Sequence, residues 1–108
     1  MDDTPRWRFD RDDLERIADA GLIYQCACPA QVAGKLLQLR DFFDYQRECA
    51  ASGDPLGVHS TIIASVVAAH DELERCLDKV LDIEGWDRST YRMPPGLRSL
   101  RMDDGTPY

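Results

Sequence analysis

Apolar residues recur at steps of three and four through the middle of the chain, which is the spacing of amphipathic helices. Pro29 suits the first turn of a helix, and Gly53 and Pro55 interrupt the pattern. The sequence therefore predicts a helix over residues 29–51. Its apolar seam, which extends over nearly three heptads, comprises Val32, Leu36, Leu39, Phe43, Gln46 and Ala50.

A second long helix is predicted over residues 56–84. Asp54 followed by Pro55 is a capping sequence, and Gly85 stands where a helix commonly ends in a left-handed residue. Because a short turn joins this helix to the preceding one, the two should lie antiparallel as a helical hairpin. The seam of this helix comprises His59, Ile63, Val66, His70, Leu73, Leu77, Val80 and Glu84.

A short helix is predicted before the hairpin, over residues 10–20. Asp10 is a good N-cap, and Phe9 and Leu14 have the spacing of a hydrophobic staple. Gly21 is predicted to end this helix in the left-handed conformation. These three helices predict one all-α domain over residues 1–108.

The C-terminal segment, residues 85–108, lacks helical periodicity, and Pro94-Pro95-Gly96 prevents a regular helix from running through it. We expect its large apolar residues to tie it to the helices. These anchors are Trp86, Tyr91, Met93 and Leu97. Trp7, Trp86 and Tyr91 also lie outside both seams, which makes them candidates for a partner surface.

The apolar arc of the third helix is wider than one neighbouring helix covers. At about 100° per residue it spans roughly 200°. The short first helix covers part of this arc, and a second copy of the chain would cover the rest. We therefore predict a homodimer in which two hairpins form a four-helix-type bundle. Its predicted seam comprises Ile63, Val66, His70, Leu73 and Leu77.

Two cysteines, Cys26 and Cys28, stand one residue apart just before Pro29. If Pro29 is the first helical residue, Cys28 is the N-cap, where unpaired N–H groups and the helix dipole stabilise a thiolate. The hairpin places Cys76 near the same end. Four interpretations remain open: small side chains that only pack, a redox pair of Cys28 and Cys76, a disulfide that bridges a dimer, or a soft-metal site for zinc, copper(I) or an iron–sulfur cluster. His70 is the only candidate for a further ligand, and it lies nearly two turns from Cys76.

Both histidines lie on the seam of the third helix. Each is expected to be a core histidine with a hydrogen bond, although His59 with Cys49 forms a second possible ligand pair at the turn end. Glu74 shares a face with His70 at i+4, a spacing that favours a hydrogen bond over a metal site. In an antiparallel dimer His70 would face its own copy, making assembly sensitive to pH or to metal.

The balance of charge disfavours nucleic acid as a partner. The chain has 20 acidic and 13 basic residues, a net charge of −7, and a phosphate backbone repels such a surface. No apolar run has the length of a membrane span, and the acidic N-terminus does not resemble a signal peptide. These features predict a cytoplasmic protein.

No catalytic motif is present in the sequence: it has no glycine-rich phosphate loop, nucleophile elbow or Glu-X-X-His pair. The sequence therefore favours a non-catalytic helical module, a homodimer that binds itself or another protein. The alternative is a metal- or thiol-based module that uses Cys26, Cys28 and Cys76. A helix-turn-helix regulator is disfavoured by the length of the hairpin helices and by the net charge.

Overall fold

The computed structural model describes residues 5–24 and 27–98, with the last two of these described by their backbone alone. Its helices are α1 (Arg11–Asp19), α2 (Cys28–Ala51), α3 (Val58–Glu84) and the single turn α4 (Pro95–Arg98). A short 3-10 helix, Ala20–Leu22, follows α1. No strand occurs among the described residues. The predicted all-α class is confirmed, and the three predicted helices are found within two residues of their expected bounds.

Helix α1 begins as its sequence predicts and ends differently. The Asp10 carboxylate accepts a hydrogen bond from the Asp13 N–H at 2.7 Å, so Asp10 is the N-cap. The predicted left-handed stop at Gly21 is wrong, because the chain continues into the 3-10 helix. Gly21 is required for a different reason. A Cβ at this position would lie 3.3 Å from the Ala30 Cβ, so the missing side chain lets the connection approach α2 closely.

Helices α2 and α3 pack against each other along their length and are joined by residues 52–57. The residue before α3 is Gly57, which has a φ of 74° and offers no side-chain cap. Asp54 replaces that cap from within the turn, since its carboxylate accepts the N–H groups of His59 at 3.0 Å and Ser60 at 2.9 Å. Both donors belong to the first turn of α3, where backbone N–H groups lack partners within the helix.

The main apolar core lies at the end of the hairpin that is remote from the turn. Here α1, the beginning of α2, the end of α3 and the C-terminal segment meet. Leu14, Ile17, Leu36, Leu77 and Leu81 are completely buried in it. Because α1 packs mainly on α2, the short helix covers one side of the hairpin and leaves the other side of α3 open.

The C-terminal segment is anchored largely as predicted. Gly85 adopts the left-handed conformation, with φ of 75°, and ends α3. Trp86 and Met93 are buried in the core, while Tyr91 is half-buried. The side chain of Leu97 lies outside the described residues. The segment also contains α4, which begins at Pro95 because proline fits the first turn of a helix.

Alanine substitutions at two glycines, one within α2 and one at the end of α3, should change the stability of the protein in opposite directions. Gly85→Ala forces a Cβ into a left-handed backbone and should lower the free energy of unfolding by about 1 kcal/mol. Gly34→Ala, within α2, has no atom within 4 Å of the new Cβ and should raise it by about 0.5–1 kcal/mol. Urea unfolding of both variants tests this assignment. Equal effects would contradict it.

None of the helices in the described part of the chain has the length and apolar character needed to cross a bilayer.

Candidate functional site

Three charged or polar side chains from the hairpin are buried together. Arg40 comes from α2, and His70 and Glu74 come from successive turns of α3. They are only 5, 0 and 1% exposed, respectively. Arg40 Nε donates a hydrogen bond to His70 Nε2 at 3.0 Å, and Arg40 Nη2 donates to Glu74 Oε2 at 3.4 Å. We call this group the buried network.

The buried network holds an N-terminal arm, residues 5–9, which precedes the cap of α1. Glu74 Oε2 accepts the backbone N–H groups of Arg8 at 2.7 Å and of Phe9 at 3.0 Å. Arg40 Nη2 donates to the backbone carbonyl of Phe9. Because every one of these bonds is made to the main chain of the arm, the two helices bind the backbone of a short segment that bends at Arg8 and Phe9.

The tautomer of His70 follows from its partner. A guanidinium N–H can only donate, so His70 Nε2 must accept and the proton of the neutral ring lies on Nδ1. This Nδ1 lies 3.5 Å from Glu74 Oε1, beyond a good hydrogen bond. Among the described residues it is a buried polar atom without a hydrogen-bond partner.

Burial shifts the titration of all three groups. Burial, together with the charge of Arg40, lowers the pKa of His70 to about 4. It also lowers the pKa of Arg40, against the attraction of Glu74. Burial raises the pKa of Glu74, although the Phe9 and Arg8 N–H groups and Arg40 oppose that shift. The contacts stabilise a charged arginine and glutamate, since Arg40 faces Glu74 and the Glu74 carboxylate accepts two backbone N–H groups.

The side chain of Trp7 covers the network. Its ring centroid lies 4.0 Å from that of His70 and 5.6 Å from that of Phe43, the latter in an edge-to-face arrangement. The Arg40 guanidinium lies 5.1 Å from the Trp7 ring, within range of a cation–π interaction. Trp7 therefore packs inside its own chain, which corrects its assignment to a partner surface. Trp86, buried in the core, is corrected likewise.

The sequence identified only part of the buried network. His70 and its i+4 neighbour Glu74 both belong to it, but the hydrogen bond expected between them is not formed, since among the described residues His70 Nδ1 has no hydrogen-bond partner. Arg40 was missed because it lies outside the seam of α2, where an arginine is normally solvated. One signal was present, since Arg40 follows Leu36 by four residues and precedes Phe43 by three, on the same side of α2.

The second histidine binds a glutamine. His59 Nδ1 lies 2.7 Å from Gln46 Oε1 near the hairpin turn, so Gln46 and His59 form a polar contact between the two seams. Cys49, the proposed companion of His59, is half-buried one turn beyond Gln46 on α2. The structure thus gives His59 a hydrogen-bond partner other than this cysteine.

The cysteine cluster is described in part. Helix α2 begins at Cys28 rather than at Pro29, so Ala27 occupies the cap position and Cys28 is the first helical residue. Cys28 is exposed, Cys76 is half-buried, and both are free thiols. Cys26 lies outside the described residues. Within the described part, no three side chains of His, Cys, Asp or Glu are grouped so as to hold a metal.

The predicted dimer seam is mostly internal to one chain. His70 and Leu77 are completely buried and Val66 is 5% exposed, because all three face α2. The two copies of His70 therefore do not meet across an interface of this kind. Ile63 and Leu73 are half-buried, and only Leu73 borders the open side of the hairpin that is described next.

A second apolar stripe, which shares Val66 and Leu73 with the predicted seam, lies on the open side of α3. Its members alternate steps of four and three from residue 62 to residue 83. They are Ile62, Val66, Ala69, Leu73, Cys76, Val80 and Ile83. Ala69 is exposed, Ile83 is 75% exposed, and Val66 is the buried edge of the stripe.

A groove of about 450 Å³ runs between this stripe and α2. Its lining comprises Lys35, Gln38, Leu39, Phe42, Ala69 and Leu73. Phe42 is 43% exposed there. We call the stripe and this groove together the open face.

Comparison of the chain with protein-family models, with curated proteins and with solved structures finds no match. The function must therefore be inferred from the open face and the buried network themselves.

Proposed function

We propose that the protein is a non-catalytic helical module that pairs with a second copy of itself through the open face. The observation that carries this proposal is the apolar stripe of α3, which keeps heptad spacing over three heptads while α2 covers only one side of it. Such a repeat is typical of a helix that packs against more than one neighbour. A small chain gains stability by burying this surface in an oligomer.

A second copy is the occupant that fits this surface most directly. Two antiparallel hairpins that pack face to face form a four-helix bundle, and a two-fold axis makes one surface sufficient for both partners. The groove beside Phe42 and Leu39 gives each copy a place for apolar side chains of the other. In this arrangement Leu73 and Ala69 lie at the centre and Lys35 lies at the rim.

The buried network supports a binding role over catalysis. The lone pair of His70 Nε2 is taken by Arg40, and the ring lies beneath Trp7. The carboxylate of Glu74 accepts two backbone N–H groups and faces Arg40. In this arrangement the polar groups bind the arm, and neither His70 nor Glu74 faces solvent as a general base must.

Charged substitutions on the open face test the proposal. Ala69→Glu places a carboxylate at the centre of the proposed interface and should convert the dimer into single chains of 12.3 kDa, since a buried unpaired charge is strongly unfavourable. Leu56→Glu is the matched control, because Leu56 is 89% exposed in the turn, away from the face. It should remain dimeric. Native mass measured by light scattering gives the result.

Equal masses for the two variants would contradict the proposed interface. Circular dichroism should show the same helix content in both, because residue 69 is exposed in the single chain. A loss of helix in Ala69→Glu at a concentration where the wild-type chain is dimeric would show instead that the chain folds only as a dimer. That result also supports pairing through this face.

A further inference from the structure

We propose that the cleft above the buried network is a receptor for a bent partner segment of the type aromatic–any–aromatic. The N-terminal arm, which bends at Arg8 and Phe9, occupies this cleft in the free protein. The arm presents Trp7-Arg8-Phe9 in this position. The inference does not depend on self-association, because the groove of the open face and the contacts of the arm share no residue.

The first argument is the kind of contact that the cleft makes. Glu74 accepts N–H groups from two successive residues of the arm, and Arg40 donates to the carbonyl of the second. These bonds bind the main chain of a bent segment and make no contact with its middle side chain. Arg8, the middle residue of the arm, is exposed. The cleft therefore requires a backbone N–H at that position but no particular side chain.

The second argument is the selectivity at the two flanking positions. The Trp7 ring is held by His70, Phe43 and the guanidinium of Arg40. Phe9 is 3% exposed and packs near Tyr91, with ring centroids 6.2 Å apart. Aromatic rings of a partner would fill the same two places, since both depend on ring stacking and burial.

The third argument is that the cleft is polar at a position where packing would not require it. A buried arginine–glutamate pair is not generally a source of stability compared with apolar residues of the same volume. Its value lies in recognising one arrangement of backbone donors and acceptors. The hairpin thus contributes a complete set of groups for a short main-chain segment, and the arm acts as an internal competitor for it.

A peptide with the sequence of residues 5–10, blocked at both ends and labelled with a fluorophore, tests this proposal by fluorescence anisotropy. Full-length Trp7→Ala keeps the receptor and weakens its own arm, so it should bind the peptide saturably. The wild-type chain should bind at least about tenfold more weakly, because a tethered arm has a millimolar effective concentration. A peptide with alanine in place of tryptophan is the control and should bind neither protein.

A second variant guards against misfolding of Trp7→Ala. Arg8→Pro removes one N–H that Glu74 accepts and keeps both aromatic rings of the arm. It should also bind the peptide better than the wild-type chain does. Adding Glu74→Gln to either variant should abolish binding, because the neutral amide accepts more weakly than a carboxylate, leaves Arg40 without its counter-charge and places its own N–H groups beside the Nδ1–H of His70.

Three results would overturn the proposal. The first is no binding to either arm variant when circular dichroism shows that both are folded. The second is binding that survives Glu74→Gln or the alanine control. The third is that wild-type and Trp7→Ala chains form mixed dimers that depend on Trp7, while the free peptide does not bind. This result would show that the cleft takes the arm of a second copy of the chain.

Discussion

Replacement of Arg40 by methionine should lower the free energy of unfolding by roughly 3–5 kcal/mol. Methionine is similar in length to the aliphatic part of arginine, so the change removes the charge and the donors more than it removes volume. Glu74 would then be a buried carboxylate without a cation, His70 Nε2 would lose its donor, and the Phe9 carbonyl would lose its partner. Chemical unfolding at pH 7 measures the effect.

Arg75→Met is the matched control for this prediction. Arg75 lies one residue after Glu74 on α3 and pairs with Asp71 at 3.1 Å, but its side chain is 61% exposed. A surface pair of this kind contributes little, so the control should stay within about 0.5 kcal/mol of the wild-type chain. Similar losses in Arg40→Met and Arg75→Met would show that burial of the network has no energetic consequence.

A double variant separates two roles of the network. If Arg40 and Glu74 only neutralise each other, Arg40→Met with Glu74→Leu should recover the wild-type stability, as apolar replacements of buried ion pairs often do. If they hold the arm, the N–H groups of Arg8 and Phe9 lose their acceptor, each at a cost of about 1–3 kcal/mol. We expect the double variant to remain destabilised. Full recovery would contradict the assigned role.

Acid should weaken the protein through His70. The folded pKa of about 4 lies below the unfolded value of 6.5, so between these values the folded chain binds fewer protons than the unfolded chain. The contribution of His70 to stability is complete above pH 6.5 and is lost as the pH falls towards 4. The difference of about 2.5 pKa units corresponds to about 3 kcal/mol.

Other ionisable groups around His70 modify this pH dependence. Asp71 raises the pKa of His70. The pKa of Glu74 is itself raised, so the contribution of Glu74 to the free energy of unfolding increases as the pH falls. The contribution of His70 is therefore measured by comparison. His70→Gln should flatten the plot of unfolding free energy against pH between 6.5 and 4. His59→Gln keeps the buried network and should retain the wild-type slope. Equal slopes in all three proteins would contradict the assignment.

Local sequence signals predicted the helices well because the residues that start and stop them act at short range. The cap at Asp10 and the left-handed Gly85 are examples. Gly21 shows the limit of such signals. Its sequence context suits a helix stop, but its role is a close approach to Ala30, which only the packed fold reveals.

The buried network could be predicted in part only, since its members and the arm that they hold come from three separate stretches of the chain. His70 and Glu74 share one helix, so their spacing already placed them together. Arg40 becomes buried because the arm passes over it, and nothing local in the sequence indicates that Trp7 and Phe9 return to that point. Two members of the predicted dimer seam, His70 and Leu77, are buried within the single chain, and the sequence could not show which part of α3 the other helices cover.

The native mass of the wild-type protein, measured by light scattering over a wide range of concentration, tests the central claim most directly. The proposed pairing through the open face predicts twice the 12.3 kDa chain mass at high concentration and a decline towards one chain on dilution. A mass of one chain throughout the range, with helix content unchanged, would contradict the claim that the open face binds a second copy.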